Sequence, residues 1–411
     1  MQESTLEHEP IEISDPLEDV LEHGWLHKTM VLFHQSAQWP SWLLVVLLLA
    51  LSTISGSLWY LITKDKESAQ NITILLGLLM TADMTLLISL PQRGLSFGPW
   101  KAQFVVLIIP RILAIISAAL IGAWLGINWG IVVFVSLQLL AMAALVWGAE
   151  IEPFRLQLTE FLMFSDRLPP GSDPIRILHI SDLHLERLTK REEKVVALAY
   201  KAKPDLIVIT GDYVNLSYNR DPKTHAQIRQ LLRQFRAPHG VYATLGSPPV
   251  DLRETVPPLF DGLKISLMRH AWRKVEMGHG RQLILLGMDC THHLPTDTSR
   301  LNHLVNQAPN NAPQLLLYHS PELMPEAVEH GIDLYLCGHT HGGQVRLPFI
   351  GPLLTSSQLG RKFVMGLYRH DRTHLYVSRG IGLEGLSAPR VRFMCPPEMT
   401  LVTIRPSSPT A

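Results

Sequence analysis

Cysteine is scarce in this chain. Three occur among 411 residues, Cys290, Cys337 and Cys395, widely spaced and without a CxxC pair. That excludes a disulfide-built scaffold and the paired-thiol zinc and redox motifs. Lysine and arginine are missing from residues 1–22, which carry eight acidic side chains instead. The first 28 residues also lack the basic start and apolar core of a secretory signal. An acidic tail over residues 1–38, disordered or loosely docked, is the expectation. Formal net charge is zero, yet residues 151–411 hold 30 Lys plus Arg against 24 Asp plus Glu. This mild surplus suits an anionic substrate or lipid headgroups. No nucleic-acid motif accompanies it, so nucleic acid is not an expected partner.

Charge is also sparse over residues 39–150, where long apolar runs take its place. Four segments, 42–63, 71–90, 102–125 and 128–149, are each near the ~20 residues that cross a bilayer as a helix. Together they predict a four-helix transmembrane anchor. The first ends in Trp59 and Tyr60, a pair that fits an interfacial belt. Asp83 in the second and Arg111 in the third fall at similar depths in an antiparallel hairpin. A lone charge there costs several kcal/mol, so an intramembrane pair is expected, the alternative being Arg111 snorkelling to the interface. Ala118, Gly122 and Gly126 form a small-residue packing stripe. Lys28, Arg93, Lys101, Arg155 and Arg167 fall on one side of the membrane, against Lys64 and Lys66 on the other. The positive-inside rule then puts both termini and the soluble domain in the cytoplasm, as in a multi-pass protein of the inner (cell) membrane.

Past residue 173 short apolar strands alternate with amphipathic helices. IRILHIS, DLIVIT, GVYATL, QLILLG, QLLLYHS, DLYLCGH and HLYVSRG read as strands of a buried sheet with helices packed on it. EPFRLQLTEFLMF is expected to add a hairpin. Polar residues gather where these strands end: Asp182 and His184 in SDLH, Asp212 in GDYVN, His319 in YHS, His339 and His341 in GHTHGG. Loops after strand C-termini are where α/β folds place their sites. Carboxylate and imidazole there suit zinc, manganese or iron, and the D-x-H and H-x-H spacings aim alternate residues at one centre.

SDLH, GDYVN, YHS and GHTHGGQ, in this order and spacing, resemble the calcineurin-like metallophosphoesterases over essentially all of residues 174–405. The late stretch SRGIGLEGLSAPRVRFMCPPEM is similar to the membrane-anchored bacterial branch, one group of which cleaves the pyrophosphate of UDP-2,3-diacylglucosamine. The resemblance implies an α/β metallophosphoesterase domain over 151–411, a β-sandwich flanked by helices. It implies two divalent metal ions (Mn, Fe or Zn), the first on Asp182, His184 and His341, the second on His319 and His339, with Asp212 bridging. The implied activity is hydrolysis of a phosphoester or pyrophosphate, on a phosphorylated, lipid- or nucleotide-linked substrate at the membrane.

The third block departs from the family pattern. The family carries Gly-Asn-His-Asp or Gly-Asn-His-Glu, with Asn a ligand of the second metal and His assisting the leaving group. Here the block reads Gly246-Ser247-Pro248-Pro249, with Asp251 two positions late. Ser247 offers a hydroxyl to the metal, a weaker ligand than an amide, and Pro248 has no proton to donate. His239, His292 and His293 are the nearby histidines that would compensate if they point into the cleft, and Arg379 is a candidate phosphate contact. A substrate with a good leaving group, such as a pyrophosphate, needs the missing acid least. The alternative is a degenerate phosphoesterase that binds a ligand and signals through its helices.

Overall fold

The computed structural model describes residues 25–407. Most of the expected acidic tail lies outside them. Its last part is helical: α1 (Trp25–His34) runs into a 3-10 turn, Gln35–Gln38. The chain divides into a helical unit, Trp25–Ile151 with Glu384–Val391, and an α/β unit formed by Glu152–Leu383 and the chain from Arg392 onward.

In the helical unit, α2 (Ser41–Thr63), α3 (Lys66–Gln92), α4 (Trp100–Leu125) and α5 (Ile127–Val146) occupy the four apolar runs. All four are long and apolar enough to cross a membrane, the last counted with its continuation to Phe154. Asp65 caps α3, its Oδ1 accepting from Ser68 N at 2.8 Å. The charge pair forms inside the bundle. Arg111 Nη2 donates to Asp83 Oδ1 at 2.5 Å and Nε to Oδ2, with both residues buried. Gln138 on α5 completes the cluster, its Oε1 accepting from Arg111 Nη1 at 2.5 Å and its Nε2 donating to Arg111 O at 3.2 Å. The small stripe is a packing face at Ala118 and Gly122. A Cβ on Gly130 of α5 would lie 2.7 Å from Gly122 Cα and 2.9 Å from Ala118 O. Gly126, at φ +104°, makes the turn between the two helices instead. Trp59 corrects the belt expectation. It is fully buried, donates Nε1 to Ser68 Oγ at 2.8 Å and meets Phe134 edge-on, while Tyr60 is exposed. The late segment Glu384–Val391 also packs in this unit, with Arg390 N donating to Gln103 Oε1 at 3.0 Å and Ser387 Oγ to Met30 O at 2.8 Å.

The α/β unit is a sandwich of two six-stranded sheets with helices outside each. The first sheet contains β1 (Gln157–Ser165), β2 (Ile175–Ile180), β3 (Leu206–Thr210), β4 (Val241–Thr244), β5 (Ser266–Leu267) and β14 (Glu398–Pro406), ordered β1-β14-β2-β3-β4-β5. The second contains β6 (Ala271–Glu276), β7 (Gln282–Gly287), β8 (Gln314–Leu317), β9 (Leu334–Cys337), β12 (Gly366–His370) and β13 (Thr373–Val377), ordered β12-β13-β9-β8-β7-β6. A small hairpin, β10 (Arg346–Leu347) with β11 (Gly351–Pro352), stands apart from both.

Strand alternation sends side chains to both buried faces, which explains the near-continuous apolar runs. Ile175, Ile177, Leu206 and Val208 meet Leu283, Leu285, Leu315 and Leu334 in the inter-sheet core. Leu178, Ile180, Ile207 and Ile209 face outward, with Val195 of α6 (Lys190–Ala202) and Ile228 of α7 (Pro222–Leu232). Ile284, Leu286, Leu316 and Tyr335 do the same on the other side, with Leu301 of α8 (Leu294–Gln307) and Ala327 of α9 (Met324–Glu329). The expected hairpin at 152–164 is instead the single edge strand β1, parallel to β14 from Gln157↔Glu398 to Ser165↔Pro406.

Candidate metal centre

β2, β3 and β4 are mutually parallel, as are β7, β8, β9 and β13, so seven strand C-termini deliver loops to one end of the sandwich. Backbone bonds tie the loops together: Asp182 N donates to Gly211 O, Gly338 N to His319 O, and Gly382 N to Asp182 O. The approach is too close for side chains. A Cβ on Gly338 would lie 1.9 Å from Asp182 Oδ2, and one on Gly246 would lie 2.1 Å from Asp212 Oδ1. Hence glycine precedes His339 in GHTH and closes β4 in LGSPP.

Two donor groups form here: Asp182, His184 and His341, and Asp182, Asp212 and His319. His184 Nε2 stands 3.0 Å from His341 Nε2 and 3.4 Å from Asp212 Oδ2. His341 Nε2 is 3.5 Å from Asp182 Oδ1, and His319 Nε2 is 3.1 Å from Asp212 Oδ2. His339 meets His319 edge-on with ring centroids 5.2 Å apart, and its Nε2 lies 3.2 Å from Ser356 O. Asp182, His184, Asp212, His339 and His341 all adopt left-handed φ, between +37° and +70°. Such conformations cluster at functional sites, where surrounding bonds over-determine them. Asp182 Oδ2 is buried with no hydrogen-bond partner among the described residues, as expected of an oxygen reserved for a cation. The His319 Nδ1–Thr210 O bond of 2.7 Å frees Nε2 to ligate. These residues fit two divalent ions.

Electrostatics agree. Burial would raise the Asp212 carboxyl, but the His319, His184 and His339 rings hold it well below the usual carboxylate range. Burial alone would lower His319, yet the Asp212 and Asp182 carboxylates push it up to about 10. Burial takes His341 down to about 3 against the pull of Asp182. Ligation needs neutral imidazole, so a cation held by His319 would displace the proton that these carboxylates favour. Titrating Mn²⁺ into apoprotein near pH 8, in buffers of different ionisation enthalpy, is expected to show at least about one proton released. Affinity should rise roughly tenfold per pH unit below the His319 pKa. Proton-neutral binding would contradict this.

Among the histidines considered as compensation, His292 enters the centre. It is buried, at φ +58°, with Nε2 3.2 Å from Ser247 Oγ and its ring centroid 4.5 Å from that of His339. His239 does not. It lies just before Val241, at the N-terminal end of β4, its N donating to Asp205 O at the opposite end of the strand from Gly246. His293 caps α8, accepting from Thr296 N at Nδ1. Arg379 is turned to Glu398 Oε2 at 2.5 Å and Gln157 Oε1 at 3.1 Å. Ser247 donates its N–H to Asp212 Oδ1 at 2.7 Å and stands with Oγ 3.4 Å from Oδ2.

Two residues outside the motif blocks hold the centre in shape. Asp251 accepts from Asp212 N, Gly246 N and Tyr213 N at 2.7–2.9 Å, clasping the second and third loops. Arg392 is buried 3.5 Å from His341 Nδ1 and donates to the carbonyls of Arg379, Gly380, Gly382 and Cys395. Asp251 is visible in the sequence only as the late acidic residue of the third block, and Arg392 has no local signal, because each acts on loops distant in the chain.

Residues 175–247 match the family model described as calcineurin-like phosphoesterase. The metallophosphoesterase YkuE of Bacillus subtilis (strain 168) is 30% identical over 260 residues, 62% of this chain and 87% of its own. This chain belongs to the calcineurin-like metallophosphoesterases. A second such relative, from Aquifex aeolicus, is 29% identical over 64% of this chain and 97% of its own length. The phosphodiesterase YaeI of Escherichia coli is 26% identical over 56% and 82%. The metallophosphoesterase is thus joined here to four helices of membrane-spanning length.

Proposed function

We propose that this metallophosphoesterase hydrolyses a phosphoester or pyrophosphate presented at the surface of the bilayer that holds its helices, with the α/β unit in the cytoplasm. The observation that carries the chemistry is the pair of donor groups sharing Asp182, with Asp212 next to both His184 and His319. Asp182, His184 and His341 would hold one divalent ion, His319 and His339 the other, and Asp212 both. Bound there, the ions supply an activated water and neutralise charge that builds on the phosphoryl oxygens. Ser247 N–H fixes the Asp212 carboxylate, and the Thr210 carbonyl fixes the His319 ring. Pro248 opens a turn closed by Asp251 N donating to Ser247 O at 2.8 Å, so no histidine follows Ser247 to protonate a poor leaving group. Pyrophosphates and activated diesters are therefore favoured over alkyl monoesters.

Support for presentation at a membrane comes from the β10–β11 hairpin, which begins three residues past Gly343 in the GHTHGG loop. Its tip is apolar and outward, with Phe349 fully exposed and Ile350 about half-exposed, and Leu353 and Leu354 just past β11 are about half-exposed too. Arg361 braces it through Ile350 O and Pro352 O at 3.1 and 2.8 Å. Burying such side chains stabilises by roughly 1.5–3 kcal/mol each. The double variant Phe349→Ser, Ile350→Ser is expected to cleave bis-p-nitrophenyl phosphate normally. It should lose roughly tenfold or more on a lipid-linked pyrophosphate in vesicles. Equal loss on both substrates would deny the hairpin a role in lipid access. The reading as a whole is tested with the full chain in detergent, metal-loaded, on both substrates. Metal uptake without turnover of either would favour the ligand-binding alternative.

A further inference from the structure

We propose that His292 is a ligand of the second divalent ion, on the side of the centre where Ser247 stands. The inference rests on the two-metal reading above and extends it to a residue outside the motif loops.

Spacing is the first argument. Two ligands on one ion at about 2.1 Å lie roughly 3–3.4 Å apart. His292 Nε2 is 3.2 Å from Ser247 Oγ, Ser247 Oγ is 3.4 Å from Asp212 Oδ2, and Asp212 Oδ2 is 3.1 Å from His319 Nε2. Each neighbouring pair from His319 to His292 is therefore at ligand spacing, while the donors that all lie within 4.8 Å of one another on this side are Asp182, Asp212 and His319. The rings close the same circuit, with His292 next to His339 and His339 next to His319.

Backbone conformation is the second. His292 shares the left-handed φ of Asp182, His184, Asp212, His339 and His341. Strain of this kind persists only where neighbours impose it, and they do so from both sides. Thr291 donates its N and Oγ1 to Asp297 at 3.1 and 2.9 Å, and Gln358 Nε2 donates to the His292 carbonyl at 2.9 Å. Gln358 belongs to a strap fastened by Glu322, whose Oε1 accepts from Ser357 Oγ and Gln358 N. The other flank is held as firmly. Arg253 donates to Cys290 O and Gly246 O, at 2.5 and 3.2 Å, and so ties the His292 loop to the Ser247 loop.

Environment is the third. A histidine that served only to fill the core would not need the imidazole of His339 beside it and the Asp212 carboxylate one serine away. Apart from Ser247, its ring nitrogens meet Cys290 Sγ, both at 3.6 Å, and a thiol bonds only weakly. Nε2 bonds the Ser247 hydroxyl, a neutral partner whose place a cation would take.

The test is metal binding by the full chain in detergent, stripped with chelator and titrated with Mn²⁺, with stoichiometry by elemental analysis and spin coupling by electron paramagnetic resonance. Wild type is expected to bind two Mn²⁺ as a coupled pair. His292→Ala is expected to keep one and to bind the second at least about 100-fold more weakly, a loss at the upper end of those seen even for residues that only support a ligand. His292→Asn, which returns an oxygen donor, should restore much of that loss. His239→Ala should match wild type. If His292→Ala does not fold, judged by its melting curve, His292→Asn and His292→Gln decide between a donor and a space-filler. Two tightly bound, coupled ions in His292→Ala would overturn the proposal and leave the two-metal reading standing. Fewer than two in wild type would overturn that reading itself.

Discussion

Asp212→Ala is expected to lower turnover of bis-p-nitrophenyl phosphate by about 10³ or more and to leave fewer than two metal ions per chain. The carboxylate faces His184 and His319 together, at 3.4 and 3.1 Å, so its loss removes a group that stands, beside the shared Asp182, between both halves of the centre. Two bound cations contribute several kcal/mol of charge stabilisation to such a reaction, and each 1.36 kcal/mol is tenfold in rate. Asp212→Asn separates chemistry from folding. It keeps an oxygen for the Ser247 N–H bond of 2.7 Å but not the negative charge. It should fold like wild type, take up metal poorly and remain slow. Turnover within tenfold of wild type in both variants would deny Asp212 the bridging role proposed for it.

Asp83→Leu is expected to destabilise the helical unit by about 3–5 kcal/mol, the cost of leaving one member of a buried ion pair uncompensated. Without Asp83 the Arg111 guanidinium keeps Gln138 Oε1 at 2.5 Å, a neutral partner. Arg111→Leu should likewise destabilise, since it leaves the Asp83 carboxylate without its buried partner. The double variant Asp83→Leu, Arg111→Leu should recover most of the loss, since replacing both members of a buried pair is often near neutral. Reversible unfolding in mixed detergent micelles measures all three. Additive losses in the double variant would show that the two residues act separately and that the pair is not the source of the stability.

Much of this is legible in the amino-acid sequence. The apolar runs mark α2 to α5 because length and the lack of charge are local properties. The Asp83–Arg111 pair follows from two depths and the cost of a lone charge. Asp182, His184, Asp212, His319, His339 and His341 are visible because each follows the end of an apolar strand. Other features are not legible. Trp59 reads as an interfacial anchor, yet Ser68 and Phe134 draw it inside. Glu384–Val391 reads as part of the α/β domain and packs with the helices. Residues 152–164 read as a hairpin, whereas β14, far along the chain, takes β1 as a parallel partner.

The histidines near the altered third block show where the division falls. By sequence, His239 and His292 have equal standing, each a few residues from a strand. The sequence determined the membrane-length helices, most strands and their buried faces, and the candidate ligands, since these follow from periodicity and residue type over a few positions. Tertiary structure decided which strand ends meet. β7 delivers His292 beside the β4 loop that carries Ser247, at the C-terminal end of the sandwich, while β4 itself leaves His239 at the other. Strand direction and the contact between sheets, both long-range, made that choice.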